Sequence, residues 1–186
     1  MAQHTLSVLV ENSPGVLARV AGLFARRGYN IDSLAVGPTE NPTVSRMTIV
    51  LNLEGHALDQ VSAQLFKLVN VIGIQEMTPA DSHQRELLLV KVGKKNGSAE
   101  KISDLAAKFQ GHIVDETSTS MTLEVIGTSK DLDSLLAALK EFGIRELAQS
   151  GLIAMEKGDA TLAERTLSET GLASSESHSQ TADYQN

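Results

Sequence analysis

The chain has 186 residues, 41% of them apolar but only 3% aromatic, with no tryptophan, so its cores must rest on Leu, Val, Ile and Ala. It has no cysteine, which excludes disulfides and thiolate metal sites and fits a reducing, cytoplasmic setting. The formal net charge is −7, of which residues 159–186 supply −4 through five acidic residues against one basic, and neither part has the basic face of a nucleic-acid binder.

In chain order, Thr5 to Glu11 reads as an apolar strand, and the residues before it lack the basic region and long apolar run of a signal peptide. A helix follows from about Pro14 to Arg27. Val16, Leu17, Val20, Leu23 and Phe24 form its apolar stripe, Arg19, Arg26 and Arg27 lie largely off it, and Gly28 is the stop. Asn30 to Val36 is a second strand, and Gly37 to Pro42 is a turn region with two prolines. In the third strand, Ser45 to Leu53, Met47, Ile49 and Leu51 alternate with Thr48, Val50 and Asn52. A second helix spans about Ala57 to Val69 on Leu58, Val61, Leu65 and Leu68, and a fourth strand runs from Val71 to Met77. No apolar run approaches the ~20 residues needed to cross a bilayer, so no membrane partner is expected.

A polar break, Thr78 to Arg85, precedes a repeat of the same order without convincing repetition of residues. The second half reads as a strand (Glu86 to Val92), a helix (Ser98 to Phe109), strands at His112 to Glu116 and Met121 to Ile126, a helix (Lys130 to Lys140) and a strand (Ile144 to Met155). A βαββαβ order folds most simply as a four-stranded antiparallel sheet with two helices on one face. The fold class is therefore α+β, with two ferredoxin-like domains in tandem. The expected division is 1–78, a linker over 79–85, 86–158, and a polar tail over 159–186 that is disordered apart from one or two helical turns near Ala160 to Leu167. Each half is small for a stand-alone core and leaves one sheet face bare, so an oligomer is expected.

The chemistry on offer concentrates at Asn12-Ser13-Pro14-Gly15. Ser13 can cap the following helix, Pro14 suits its first turn, and Gly15 leaves the main chain uncovered. The free N–H groups of such a helix start attract a carboxylate. The same four residues are also what a plain turn and cap would need. Asn30 is likewise what a strand start could carry, and Arg26-Arg27 reads as a solvated helix face. The five histidines are scattered with no metal-ligand spacing. Gly93 to Ser98 lacks the glycine-lysine-hydroxyl order of a phosphate loop. No nucleophile, base or metal cluster stands beside the helix start, so the chemistry is binding rather than bond-making.

The run Glu11-Asn12-Ser13-Pro14-Gly15-Val16-Leu17 resembles the ACT domain family, regulatory βαββαβ modules that bind amino acids. Several further runs are similar to the small regulatory subunits of acetolactate synthase. They are Gly22-Leu23-Phe24, Arg27-Gly28-Tyr29-Asn30-Ile31 with Ser33-Leu34, Ser45-Arg46-Met47-Thr48-Ile49, Gln64-Leu65 with Lys67-Leu68-Val69, and Arg85 to Val92. The resemblance covers about residues 4–158. It implies a subunit without catalytic activity that activates a separate large catalytic subunit, which holds thiamine diphosphate, FAD and magnesium; no cofactor is implied in this chain. It also implies feedback inhibition by valine in branched-chain amino-acid biosynthesis. The valine site lies between the N-terminal domains of a homodimer, with Asn12, Gly15, Val16 and Leu17 from one protomer and Asn30 and Ile31 from the other. At the matching place in the second half, Gly93-Lys94-Lys95-Asn96-Gly97-Ser98 departs from the pattern, and the site is not carried over there. The rival expectation is a free-standing amino-acid-sensing ACT protein acting on a different partner.

Overall fold

The computed structural model describes residues 2–54, 57–95 and 97–169. It divides into two units, one of residues 1–83 together with the chain from 154 onward, the other of residues 84–153.

In the first unit, β1 (Ala2–Glu11), β2 (Ser33–Pro38), β3 (Val44–Leu53) and β4 (Val71–Glu76) form an antiparallel sheet in the order β2-β3-β1-β4, the order that βαββαβ connectivity requires. Strand periodicity turns Leu6, Val8 and Val10 of β1 and Met47, Ile49 and Leu51 of β3 to one face. There they pack with Val16, Val20, Leu23 and Phe24 of α1 (Val16–Arg26) and with Val61 and Leu65 of α2 (Ala57–Leu65). Helix α1 closes with paired bonds, Gly28 N–H donating to Ala25 O and Tyr29 N–H to Phe24 O, both at 3.1 Å. This is the Schellman pattern, and it needs the positive φ of Gly28, +69°.

The second unit repeats this plan. β5 (Ser82–Gly93), β6 (His112–Glu116), β7 (Ser120–Gly127) and β8 (Ile144–Gln149) are ordered β6-β7-β5-β8. α3 (Ala99–Lys108) and α4 (Ser129–Leu139) supply Ile102, Ala106, Leu132, Leu135 and Leu139 to its core. The strand shift that interrupts β1 between Leu9 and Val10 recurs in β5 between Lys91 and Val92. Helix α4 starts on a reciprocal cap in which the Thr128 hydroxyl accepts from the Asp131 N–H while the Asp131 carboxylate accepts from Thr128. The Thr128 hydroxyl and amide hold the Asp131 carboxyl below its ordinary value. Burial pushes the Glu86 carboxyl up, against the lowering effect of the Ser129 hydroxyl.

Several element boundaries differ from the sequence reading. β2 starts at Ser33 rather than Asn30, because ladder pairing begins at Ser33 opposite Val50. Helix α2 ends at Leu65 rather than Val69; beyond it the bonds tighten to Lys67 N–H→Gln64 O and Leu68 N–H→Leu65 O. β5 already starts at Ser82, inside the polar break. The long strand expected from Ile144 to Met155 is two, β8 and β9 (Ile153–Glu156), the latter pairing with β5.

The polar segment from Asp159 contains a helix, α5 (Leu162–Glu169), laid against β4. Its start is a second reciprocal cap: Thr161 N–H donates to the Glu164 carboxylate (3.0 Å) and Glu164 N–H to the Thr161 hydroxyl (3.1 Å). Leu162 and Thr166 are buried. The expected disorder of the remaining tail, 170–186, falls outside the described residues. Thr166 presses so closely on β4 that a Cβ added at Gly73 would lie 2.1 Å from its Oγ1. Gly73→Ala is therefore expected to lift α5 from the sheet and open new protease cleavage around residues 160–166, and Thr166→Ala in the same chain to restore protection. Equal protease resistance in the single variant and the parent would show that α5 does not depend on this contact.

Candidate functional site

Strand β1 delivers its last residue, Glu11, into a tight corner. Asn12 N–H donates to Thr43 O (2.7 Å), and the Asn12 side-chain amide donates to Pro42 O (2.9 Å), tying the corner to the β2–β3 turn. Ser13 to Val16 then make a turn closed by a long Val16 N–H→Ser13 O contact of 3.5 Å. Gly15 has φ +84° and ψ −7°, the values of the third position of a type II turn, which favours glycine there and proline just before it. Gly15 itself is the N-cap of α1, and no side chain caps the helix; the expectation that Ser13 would cap it is corrected. The helix starts two residues later than a Ser13 cap needs, because Pro14 occupies the turn rather than the helix.

The consequence is an open helix start. The amides of Leu17 and Ala18 have no main-chain acceptor among the described residues, and Arg19 N–H is the first to bond inside the helix, to Gly15 O at 3.1 Å. Nothing lies within 4 Å of a Cβ built on Gly15. Partial positive charge therefore faces uncluttered space. Leu17 stands beside it, 44% exposed, whereas the Val16 side chain is buried in the core and offers only its main chain here. Asn70 braces this end. It accepts from the Arg19 guanidinium (2.5 Å) and donates to the Glu11 carboxylate (2.6 Å), joining α1, β1 and the residue before β4.

Asn30 and Ile31 lie elsewhere. Tyr29 ends the α1 closure, Ile31 packs half-buried against the core, and Asp32 N–H donates to Val50 O (2.9 Å). Val50 faces Thr5 across the sheet, while Asn12 follows Glu11. Thr5 and Glu11 are six residues apart along β1, ~20 Å at strand spacing. One chain thus brings Asn12, Gly15, Val16 and Leu17 together at one end of the sheet and places Asn30 and Ile31 at the other. At the second end the Asn30 amide donates to Asp32 Oδ1 (2.7 Å), and the Asn52 amide donates to Asp32 Oδ2.

In the second unit the corresponding loop after β5 is closed on itself: the Ser98 hydroxyl donates to Lys95 O (2.8 Å) and accepts from Lys95 N–H (2.9 Å). Asn96 lies outside the described residues, as do His56 and His178. Among the described residues no three His, Asp or Glu side chains gather at metal-binding distance, and no helix is long and apolar enough to cross a membrane. A separate cleft of about 360 Å³ opens on the sheet face away from α1 and α2, against Leu9, Val44, Arg46, Met155 and Leu162, and holds none of the candidate residues.

A tandem of βαββαβ units, the first with an open helix start after β1, defines the class: residues 6–73 match the family described as the AHAS small subunit-like ACT domain. Residues 85–158 match the family described as the small subunit of acetolactate synthase. The chain belongs to the acetolactate synthase small-subunit family. It is 48% identical over 155 residues to the acetolactate synthase small subunit of Mycobacterium leprae, covering 83% of this chain and 92% of that one. It is 43% identical over 158 residues to the isozyme 3 small subunit of Salmonella typhimurium, covering 84% and 97%. The crystal structure of the acetolactate synthase small subunit from Thermotoga maritima superposes with a TM-score of 0.79 at 33% identity, covering 86% of this chain and all of that one. The chain is thus of the ACT-domain regulatory type, and its family name implies a large catalytic partner. Helix α5 lies beyond both family matches.

Proposed function

We propose that this chain activates the large catalytic subunit of acetolactate synthase and confers feedback inhibition by valine, bound between the N-terminal units of a homodimer. The carrying observation is the open start of α1, where the Leu17 and Ala18 amides have no main-chain acceptor among the described residues, Gly15 is left-handed and nothing lies within 4 Å of a Cβ built on it. An amino acid presents a carboxylate, an ammonium and a side chain. The α1 amides suit the first, Leu17 and Ile31 suit an isopropyl group, and the amide oxygen of Asn30 suits the ammonium. Asn30 stands ~20 Å from Gly15 in the same chain, so a site using both needs a second copy, which supports the dimer reading.

Valine then acts as a bridge that favours one arrangement of the two N-terminal units, and it shifts the population only as far as it binds that arrangement more tightly. By linkage, docking of the large subunit alters valine affinity by the same factor. Thiamine diphosphate, FAD and magnesium belong to the large subunit in this reading. The pocket's grip on branched side chains is graded, with roughly 1–3 kcal/mol per methylene separating valine from leucine or isoleucine.

The test is acetolactate formation by the large subunit with and without this chain, each across a valine titration. Stimulation by the chain and inhibition that requires it are expected. Absence of stimulation would favour a sensor acting on another partner. Within the site, Asn30→Ala is expected to weaken valine binding about tenfold or more by calorimetry, the worth of one hydrogen bond to a charged group. Unchanged affinity would remove Asn30 from the site.

A further inference from the structure

The Asp32 carboxylate is held from two sides. It accepts from the Asn30 amide on Oδ1 at 2.7 Å and from the Asn52 amide on Oδ2, while its own N–H is fixed to Val50 O at 2.9 Å. A carboxylate can only accept, so the Asn30 side chain must turn its NH2 toward Asp32. Its carbonyl oxygen is then the atom left to face outward, with no partner among the described residues. An outward carbonyl backed by a negative charge is an acceptor site: it suits an ammonium and offers nothing to a carboxylate or a keto oxygen.

We infer that Asp32 is a positioning residue that makes this end of the effector site read an ammonium group, so that α-amino acids bind in preference to the 2-hydroxy acids of the same carbon skeleton, whose hydroxyl donates without charge, and to the 2-oxo acids, which have no donor there. The inference rests on the valine-site reading above. In its simplest form, Asn52 anchors Asp32, Asp32 aims Asn30, and Asn30 meets the ligand. The first two never touch the effector. The Asp32 charge also lies one hydrogen bond behind the ammonium, where it favours the charged amine over a neutral group.

The experiment compares L-valine with L-2-hydroxy-3-methylbutanoate, which exchanges the ammonium for a hydroxyl and keeps the rest. Binding to the full chain in complex with its large subunit is followed by calorimetry, and thermal unfolding verifies folding. The parent is expected to prefer valine by about tenfold or more, the scale of one charge-assisted hydrogen bond. Asp32→Asn, whose amide can present either a donor or an acceptor, is expected to lose valine affinity while holding the hydroxy acid as before, so that the preference falls to about twofold or less. Asn52→Ala leaves Asn30 and the charge in place and is expected to lower the preference partway; it carries the test if Asp32→Asn does not fold. Equal loss of both ligands, or an undiminished preference in the variants, would overturn the role of Asp32 while leaving the valine site standing. A parent that binds neither valine nor another amino acid would overturn the site itself.

Discussion

With Gly15 replaced by aspartate, acetolactate formation by the assembled enzyme is expected to become insensitive to valine, while stimulation of the large subunit stays within about twofold. The fold can accept the change. Nothing stands within 4 Å of the new Cβ, and at φ +84° an aspartate is strained by about 1 kcal/mol, less than most side chains would be. What the carboxylate takes is the space above the Leu17 and Ala18 amides. It can satisfy them from within the chain, and it opposes an incoming carboxylate with a repulsion of about 4 kcal/mol at 4 Å under a near-surface dielectric. Valine affinity should fall by more than about a hundredfold. Gly15→Ala adds the strain without the charge and should give a smaller loss. Valine inhibition at an unchanged concentration in the aspartate variant would show that the carboxylate does not sit at the α1 start.

Phe24→Ala is expected to remove about 3–5 kcal/mol of stability, read as a drop in denaturant midpoint at constant m-value and a fall in Tm of at least about 10 °C. Phe24 is 1% exposed and, among the described residues, is the only aromatic fully buried in the first core. The core it belongs to is built from Leu, Val, Ile and Met side chains that are themselves buried, so the vacated volume is not readily refilled. Against a typical domain stability of 5–15 kcal/mol this brings the unit near unfolding. Valine binding should weaken with it, since α1 carries both Phe24 and the open amides. Val69→Ala, at a position 87% exposed, is the control and should be close to neutral. A Phe24→Ala chain as stable as the parent would mean that α1 does not pack as described.

The parts legible in the sequence were those where one residue type has one physical use. The stripe of α1 reports its buried face directly, and the βαββαβ order carries the sheet topology; β3, read as alternating, is buried on both faces from Met47 to Leu51. Pro14-Gly15 announced a turn and an exposed main chain, though not that glycine rather than serine would cap α1. Asn30 to Asp32 read as strand because Ile31 is apolar. The chain there is instead held by the Gly28 closure, by Asp32 N–H donating to Val50 O and by the Asn30 amide donating to the Asp32 carboxylate, without a ladder. Asp32 and Asn52 are twenty residues apart and meet only through the β2–β3 register, so spacing alone could not pair them. Asn70 is another such case, since its partners Arg19 and Glu11 stand 51 and 59 residues away. The helical turns expected near Ala160 to Leu167 are α5, whose start carries the local mark Thr161-x-x-Glu164; what the polar composition hid is its packing against β4.

The return of the chain to the first sheet changes what counts as a module. The polypeptide passes from the first unit to the second and comes back, so the second is spliced into the first rather than appended to it. A fragment ending near residue 83 would carry every strand and helix of the βαββαβ plan and still lack a piece of its own wall, leaving Gly73 uncovered. Severing a single connection would likewise leave the inserted unit tethered by the other. Boundaries drawn along the sequence and boundaries of folding therefore do not coincide here, and swapping the amino-terminal half between relatives means swapping the far end with it.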